Sequence, residues 1–161
     1  GLAWLYRHGG EYGLAAERLN VTGHSAGGHL TAMMLATDWR GYGEDLPKDL
    51  VKSGIPISGL YDLAPLRRTS INELAGIDDA AARECSPLYL EPATAAPVLA
   101  VVGGAETRDF HEQAEAFATR WSAAGTPVER HVEPDVDHFD VVNRLADGQS
   151  RLFRKTVDLL I

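Results

Sequence analysis

The sequence predicts an α/β fold: a mostly parallel sheet of about four strands with flanking helices. Two observations carry this. Four short runs, Arg18–Thr22, Val51–Leu60, Pro97–Val102 and Pro127–Glu133, alternate with helical stretches, and strands separated by helices form βα units whose strands lie parallel. The third run is continuous, branched and stopped by Gly103-Gly104, which marks a strand covered on both faces.

The elements follow in order. Leu2, Leu5 and Tyr6 fall at helical spacing until Gly9-Gly10 and Gly13 end the pattern. The Arg18–Thr22 run ends at Gly23, and Ala26–Thr37, rich in Ala, Leu and Met, reads as a buried helix. Trp39–Lys48 is the longest polar loop, and Arg67–Ser86 reads as a helical insert above the sheet. Phe110–Ala124 is a helix closed by Gly125, and Phe139–Ile161 holds one or two closing helices.

Composition narrows the function classes. A length of 161 residues suits one domain with a sizeable core, and 45% hydrophobic with 24% charged residues is ordinary for a globular protein. The net charge of −8 opposes a nucleic-acid partner, which needs a basic surface. No run approaches the length of a membrane span. Cys85 is the only cysteine, which excludes an internal disulfide and fits a reducing, cytoplasmic setting. Its expected place is buried or half-buried, as a small hydrophobe.

The strongest chemical signal is Gly23-His24-Ser25-Ala26-Gly27, a G-x-S-x-G match between a strand and a helix. A serine attacks a carbonyl only when exposed and close to a base. A tight strand-to-helix turn lifts it from the sheet, and glycines two before and two after let the chain cross itself closely. Ala26 then offers its N–H to an oxyanion at a helix N-terminus. The competing reading, a serine cap with packing glycines, explains less of the context.

An α/β-hydrolase presents its triad in the order serine, acid, histidine. Six histidines compete for the base. His29 and His111 fall within helices, His131 within a strand, His8 at a helix end, and His24 on the turn, expected to point away from Ser25. His138 follows the last strand, where the C-terminal sheet edge would face Ser25. Asp135 and Asp137 beside it make a metal site conceivable, but nothing else supplies matching ligand spacing. Glu106 follows the Pro97–Val102 strand by a short turn and is the preferred acid. Asp109 is its rival, although favourable charge at a helix N-terminus already accounts for it.

Taken together, Gly23 to Leu30, Ser58-Gly59-Leu60-Tyr61-Asp62-Leu63 with Pro65-Leu66, Ser86-Pro87, Gly103-Gly104-Ala105-Glu106 with Phe110 and Gln113, and His138-Phe139 resemble the kynurenine formamidase (arylformamidase) branch of the α/β-hydrolases, near the hormone-sensitive-lipase-like esterases. The resemblance implies hydrolysis of a small formamide, N-formyl-L-kynurenine, to kynurenine and formate without a cofactor. It maps the family's triad onto Ser25, Glu106 and His138, with Glu where some relatives carry Asp. A broad carboxylesterase is the alternative, and a non-catalytic binding protein on the same fold the remote one.

The family also carries a His-Gly-Gly stretch well upstream of its serine, which completes the oxyanion hole. Here His8-Gly9-Gly10 lies only 17 residues before Ser25 and reads as a helix stop. With no initiator Met and an apolar opening, residues 1–161 are expected to be the C-terminal half of an α/β-hydrolase fold, weakly active alone.

Overall fold

The computed structural model describes all 161 residues. Four parallel strands pair in chain order: β1 (Asn20–His24), β2 (Ser53–Ile57), β3 (Val98–Gly103) and β4 (Val128–Glu133). The register sets His24 opposite Ile57, Ile57 opposite Val101, and Gly103 opposite Glu133. Parallel strands in level register bring their C-terminal ends, and the loops after them, to one edge of the sheet.

Helices cover both faces, as parallel strands require. α2 (Ala26–Ala36) lies over β1 and β2, and α6 (Arg108–Ala123) over β3 and β4. α1 (Leu2–His8) contributes Ala3 to the same side. α7 (Arg151–Leu160) packs against β2, β3 and β4. The alternation of side chains along a strand divides the core. Val98, Ala100 and Val102 join Ala32, Leu35, Phe117 and Trp121 on one face, while Leu99 and Val101 join Ile55, Ile57 and Leu152 on the other. All six β3 residues are buried, which explains the unbroken apolar run. β1 forms the sheet's edge.

Each closing element has a visible terminator. Gly125, at φ 93°, ends α6, a conformation that costs glycine little. The Ser150 Oγ accepts the Phe153 N–H at 2.9 Å and caps α7. The insert resolves into α4 (Ile71–Ala75) and α5 (Asp79–Glu84), the latter capped by Asp78.

Three details depart from expectation. β1 starts and ends two residues later than the apolar run, because pairing with β2 continues through Gly23 and His24. The Trp39–Lys48 stretch opens with a helical turn, α3 (Trp39–Tyr42), which drives the Trp39 ring into the core while its Nε1–H reaches the Met34 carbonyl at 3.1 Å. Cys85 is exposed rather than buried: it caps α5, with Ala82 on that helix facing inward instead. No helix is long and apolar enough to cross a membrane.

Candidate active site

The turn that carries Ser25 brings two stretches of the chain into close crossing. Gly23 ends its course on β1 so close to the first turn of α2 that a Cβ there would lie 2.4 Å from the Gly27 oxygen. Only glycine fits. Ser25 follows at φ 58° and ψ −114°, a conformation that L-residues avoid unless their surroundings enforce it. The Ser25 N–H is held by the Ile57 carbonyl at 2.9 Å. Ala26 is the first residue of α2 and exposed, so its N–H has no acceptor within the helix.

His138 reaches this turn from the loop after β4. Its Nε2 is 3.0 Å from Ser25 Oγ, and its Nδ1 is 2.7 Å from Glu106 Oε2. A carboxylate only accepts, so Nδ1 carries the proton and Nε2 offers its lone pair to the serine hydroxyl. The Glu106 side chain is fully buried and that of His138 is 22% exposed. Glu106 Oε1 also accepts the Gly103 N–H at 2.7 Å and the Ser58 hydroxyl at 2.5 Å. Asp109 lies in the first turn of α6 and lines the cleft without bonding His138. The structure therefore brings Ser25, His138 and Glu106 together and leaves the rival acid apart.

The loop around His138 is fastened at two further points. Asp137 Oδ1 accepts the N–H groups of Phe139 and Asp140, both at 2.9 Å. Those two donors hold the Asp137 carboxyl below its ordinary value. On the other side, His24 Nε2–H donates to the His138 carbonyl at 2.6 Å, with the two rings 4.5 Å apart. His24 thus turns toward the histidine loop, a contact between residues 114 apart that no local pattern announces.

Three other histidines bond groups away from Ser25. His29 meets the Cys85 carbonyl, His8 meets Glu11, and buried His131 bonds Glu133 at 2.7 Å. Glu133 also accepts the Leu152 N–H at 3.0 Å, which fixes the start of α7 to β4. No group of three or more His, Cys, Asp or Glu side chains converges as metal ligands would.

Ser25 and His138 open onto a cleft of about 290 Å³ lined also by Leu60, Leu66, Ile71, Phe110 and Gln113. Phe110 packs against the His138 ring with centroids 4.6 Å apart. Gln113 lies one turn further along α6, and its Oε1 accepts the N–H groups of Tyr61 and Asp62 at 2.7 and 2.9 Å. The Tyr61–Asp62 turn is thereby tied to α6, and the buried Tyr61 ring stacks on Phe117 at 4.1 Å.

Residues 1–141 match the family model for the alpha/beta hydrolase fold. The chain is 33% identical to the kynurenine formamidase of Salmo salar over 140 residues, which is 83% of this chain and 47% of that protein. The crystal structure of a provisionally named thioesterase from Silicibacter sp. TM1040 superposes with a TM-score of 0.71 at 32% identity, covering 94% of this chain and 56% of that one. A thermostable carboxylesterase cloned from a metagenomic library shares the fold at a TM-score of 0.67 and 22% identity, covering 99% and 58%. The chain thus spans about half the length of these relatives. With a serine on a strand-to-helix turn of a parallel sheet and a family match over most of its residues, the chain belongs to the α/β-hydrolase fold family.

Proposed function

We propose that the chain carries the reaction centre of a serine hydrolase, an arylformamidase that releases formate from N-formyl-L-kynurenine. The observation that carries this is the line of hydrogen bonds from Ser25 through His138 to Glu106, opening on a cleft lined in part by Phe110. The similarity to a kynurenine formamidase supports the choice of substrate.

The chemistry follows from the geometry. Ser25 Oγ attacks the formyl carbon while His138 Nε2 takes its proton. The carbonyl oxygen becomes an oxyanion, for which the Ala26 N–H at the head of α2 is the donor within this chain. Glu106 keeps the imidazole in the required tautomer and stabilises the imidazolium. As the C–N bond breaks, His138 returns the proton to the departing arylamine, which leaves as kynurenine. Water then attacks the formyl ester with His138 again as base; as formate departs, the imidazolium returns the proton to Ser25 Oγ and restores the hydroxyl.

A carboxylesterase acting on small acyl esters is the second reading. It is favoured by the apolar side chains of Leu60, Leu66, Ile71 and Phe110 in the cleft lining, which suit a small uncharged acyl ester. The test is hydrolysis of N-formyl-L-kynurenine and of a short p-nitrophenyl ester by the full natural chain, with Ser25→Ala as control. Ser25-dependent release of kynurenine supports the formamidase. Cleavage of the ester alone moves the protein to the carboxylesterases, and no Ser25-dependent turnover refutes both.

A further inference from the structure

Ser58 stands apart from the three residues that meet at the turn, yet its surroundings are as specific. It follows β2 directly, is 2% exposed, and adopts φ 48°. Its N–H is tied to the Val101 carbonyl at 2.8 Å, so the conformation is imposed by the β2–β3 pairing. Its hydroxyl makes one hydrogen bond, to Glu106 Oε1 at 2.5 Å. A positive φ favours glycine. A serine kept there in spite of strain points to a need for its side chain.

The need is visible at Glu106. This carboxylate has no exposed surface and must satisfy two oxygens from protein donors alone. Oε2 serves His138 Nδ1–H. Oε1 takes the Gly103 N–H from its own turn and the Ser58 O–H from the neighbouring strand. The Gly103 contact spans three residues and ties the carboxylate to the end of its own strand, β3. The Ser58 contact spans 48 residues and ties it to the neighbouring strand, β2, as well. With Oε1 clamped from both sides, Oε2 has one place to go.

We propose that Ser58 is a positioning residue: its hydroxyl clamps Glu106 Oε1, so that Oε2 stays on His138 and the imidazole stays aligned with Ser25. This rests on the hydrolase reading above. The chemical class it serves is any acyl or formyl transfer at Ser25, since Ser58 is absent from the cleft lining and acts only through the acid. A misplacement of about 1 Å at a reacting group can cost on the order of 100-fold in rate.

Ser58→Gly separates the hydroxyl from the backbone, because glycine adopts φ 48° without strain. In the full natural chain, the variant is expected to melt within a few degrees of the parent. Its kcat on a p-nitrophenyl ester should fall about 10- to 100-fold with KM unchanged. The low-field proton resonance of His138 Nδ1–H, assigned by its loss in Glu106→Ala, should move or broaden. A variant that keeps parental kcat and that resonance overturns the proposal, as does a loss of stability with kcat intact. The two readings fail differently. If the parent neither turns over nor labels at Ser25 with a fluorophosphonate, the hydrolase reading falls, and the resonance still decides whether Ser58 holds Glu106 against His138.

Discussion

Replacing Glu106 by Gln isolates the acid's contribution with almost no change of shape. Glu106 accepts three hydrogen bonds, two on Oε1 and one on Oε2. Glutamine has one accepting oxygen and one donating nitrogen. The Gly103 N–H at 2.7 Å is a donor that cannot reverse, so the amide oxygen must take the Oε1 position. The NH₂ group then faces His138 Nδ1, and two donors cannot share that contact. His138 relieves the conflict by moving its proton to Nε2, where it blocks the lone pair that Ser25 needs. A histidine locked in the wrong tautomer costs about 10⁴-fold in kcat where this has been isolated in a serine hydrolase of another fold, equivalent to about 5.5 kcal/mol of transition-state stabilisation. The assay is kcat on a p-nitrophenyl ester in the full natural chain, with thermal melting to show the fold intact and Asp109→Asn alongside. Asp109→Asn should stay within a few-fold of the parent, because its carboxylate makes no hydrogen bond to Ser25, His138 or Glu106. Glu106→Gln within tenfold of the parent, or an equal loss in both variants, would refute the tautomer reasoning and the choice of acid.

Three other outcomes rest on different parts of the molecule. Gly23→Ala would push a Cβ to 2.4 Å from the Gly27 oxygen and 2.5 Å from its carbonyl carbon; backbone cannot yield as a side chain does, and a loss of about 3 kcal/mol is expected from urea midpoints at unchanged m-value. A loss under about 0.5 kcal/mol would mean that the crossing is looser than described. Glu133→Ala leaves the buried His131 ring and the Leu152 N–H without their acceptor, and should cost about 2–5 kcal/mol by the same measurement; a near-neutral result would show that α7 does not depend on this carboxylate. Asp137 gives a pH effect: its folded value is held below 3.8 by the Asp140 and Phe139 N–H groups, so its stabilisation is complete above that value and disappears as pH falls through the folded one. Melting temperature should therefore decline less steeply below pH about 4 in Asp137→Asn than in the parent, and parallel curves would remove this role.

Much of this was legible in the sequence because the signals were local. The turn at Ser25 could be read from five residues, since glycine spacing records how closely the chain crosses itself. The β3 run announced its burial because a strand covered on both faces has no reason to alternate. The helical turn at Trp39 was hidden in a polar stretch, where one aromatic anchor outweighs its neighbours. The contacts made by Ser58, His24 and Glu133 were not legible. Each acts on a residue or element set by the fold rather than by spacing: Ser58 on an acid 48 residues away, His24 on a carbonyl 114 away, and Glu133 on a helix start 19 away. Nothing in a single strand's pattern reports which loops the sheet will bring beside it. Cys85 misled for a related reason, because burial preference is an average and a helix cap takes its exposure from the helix.

Ser25 and its partner histidine stand 113 residues apart in the chain. The ribosome adds about 5–20 residues per second, so roughly 6 to 23 s separate the emergence of the two side chains. During that interval the serine is present without a base, and a truncated chain that stops before β4 never acquires one. On the hydrolase reading proposed above, the serine therefore stays without its histidine partner while the strands are still unpaired. Reactivity arrives late, with the last strand of the sheet.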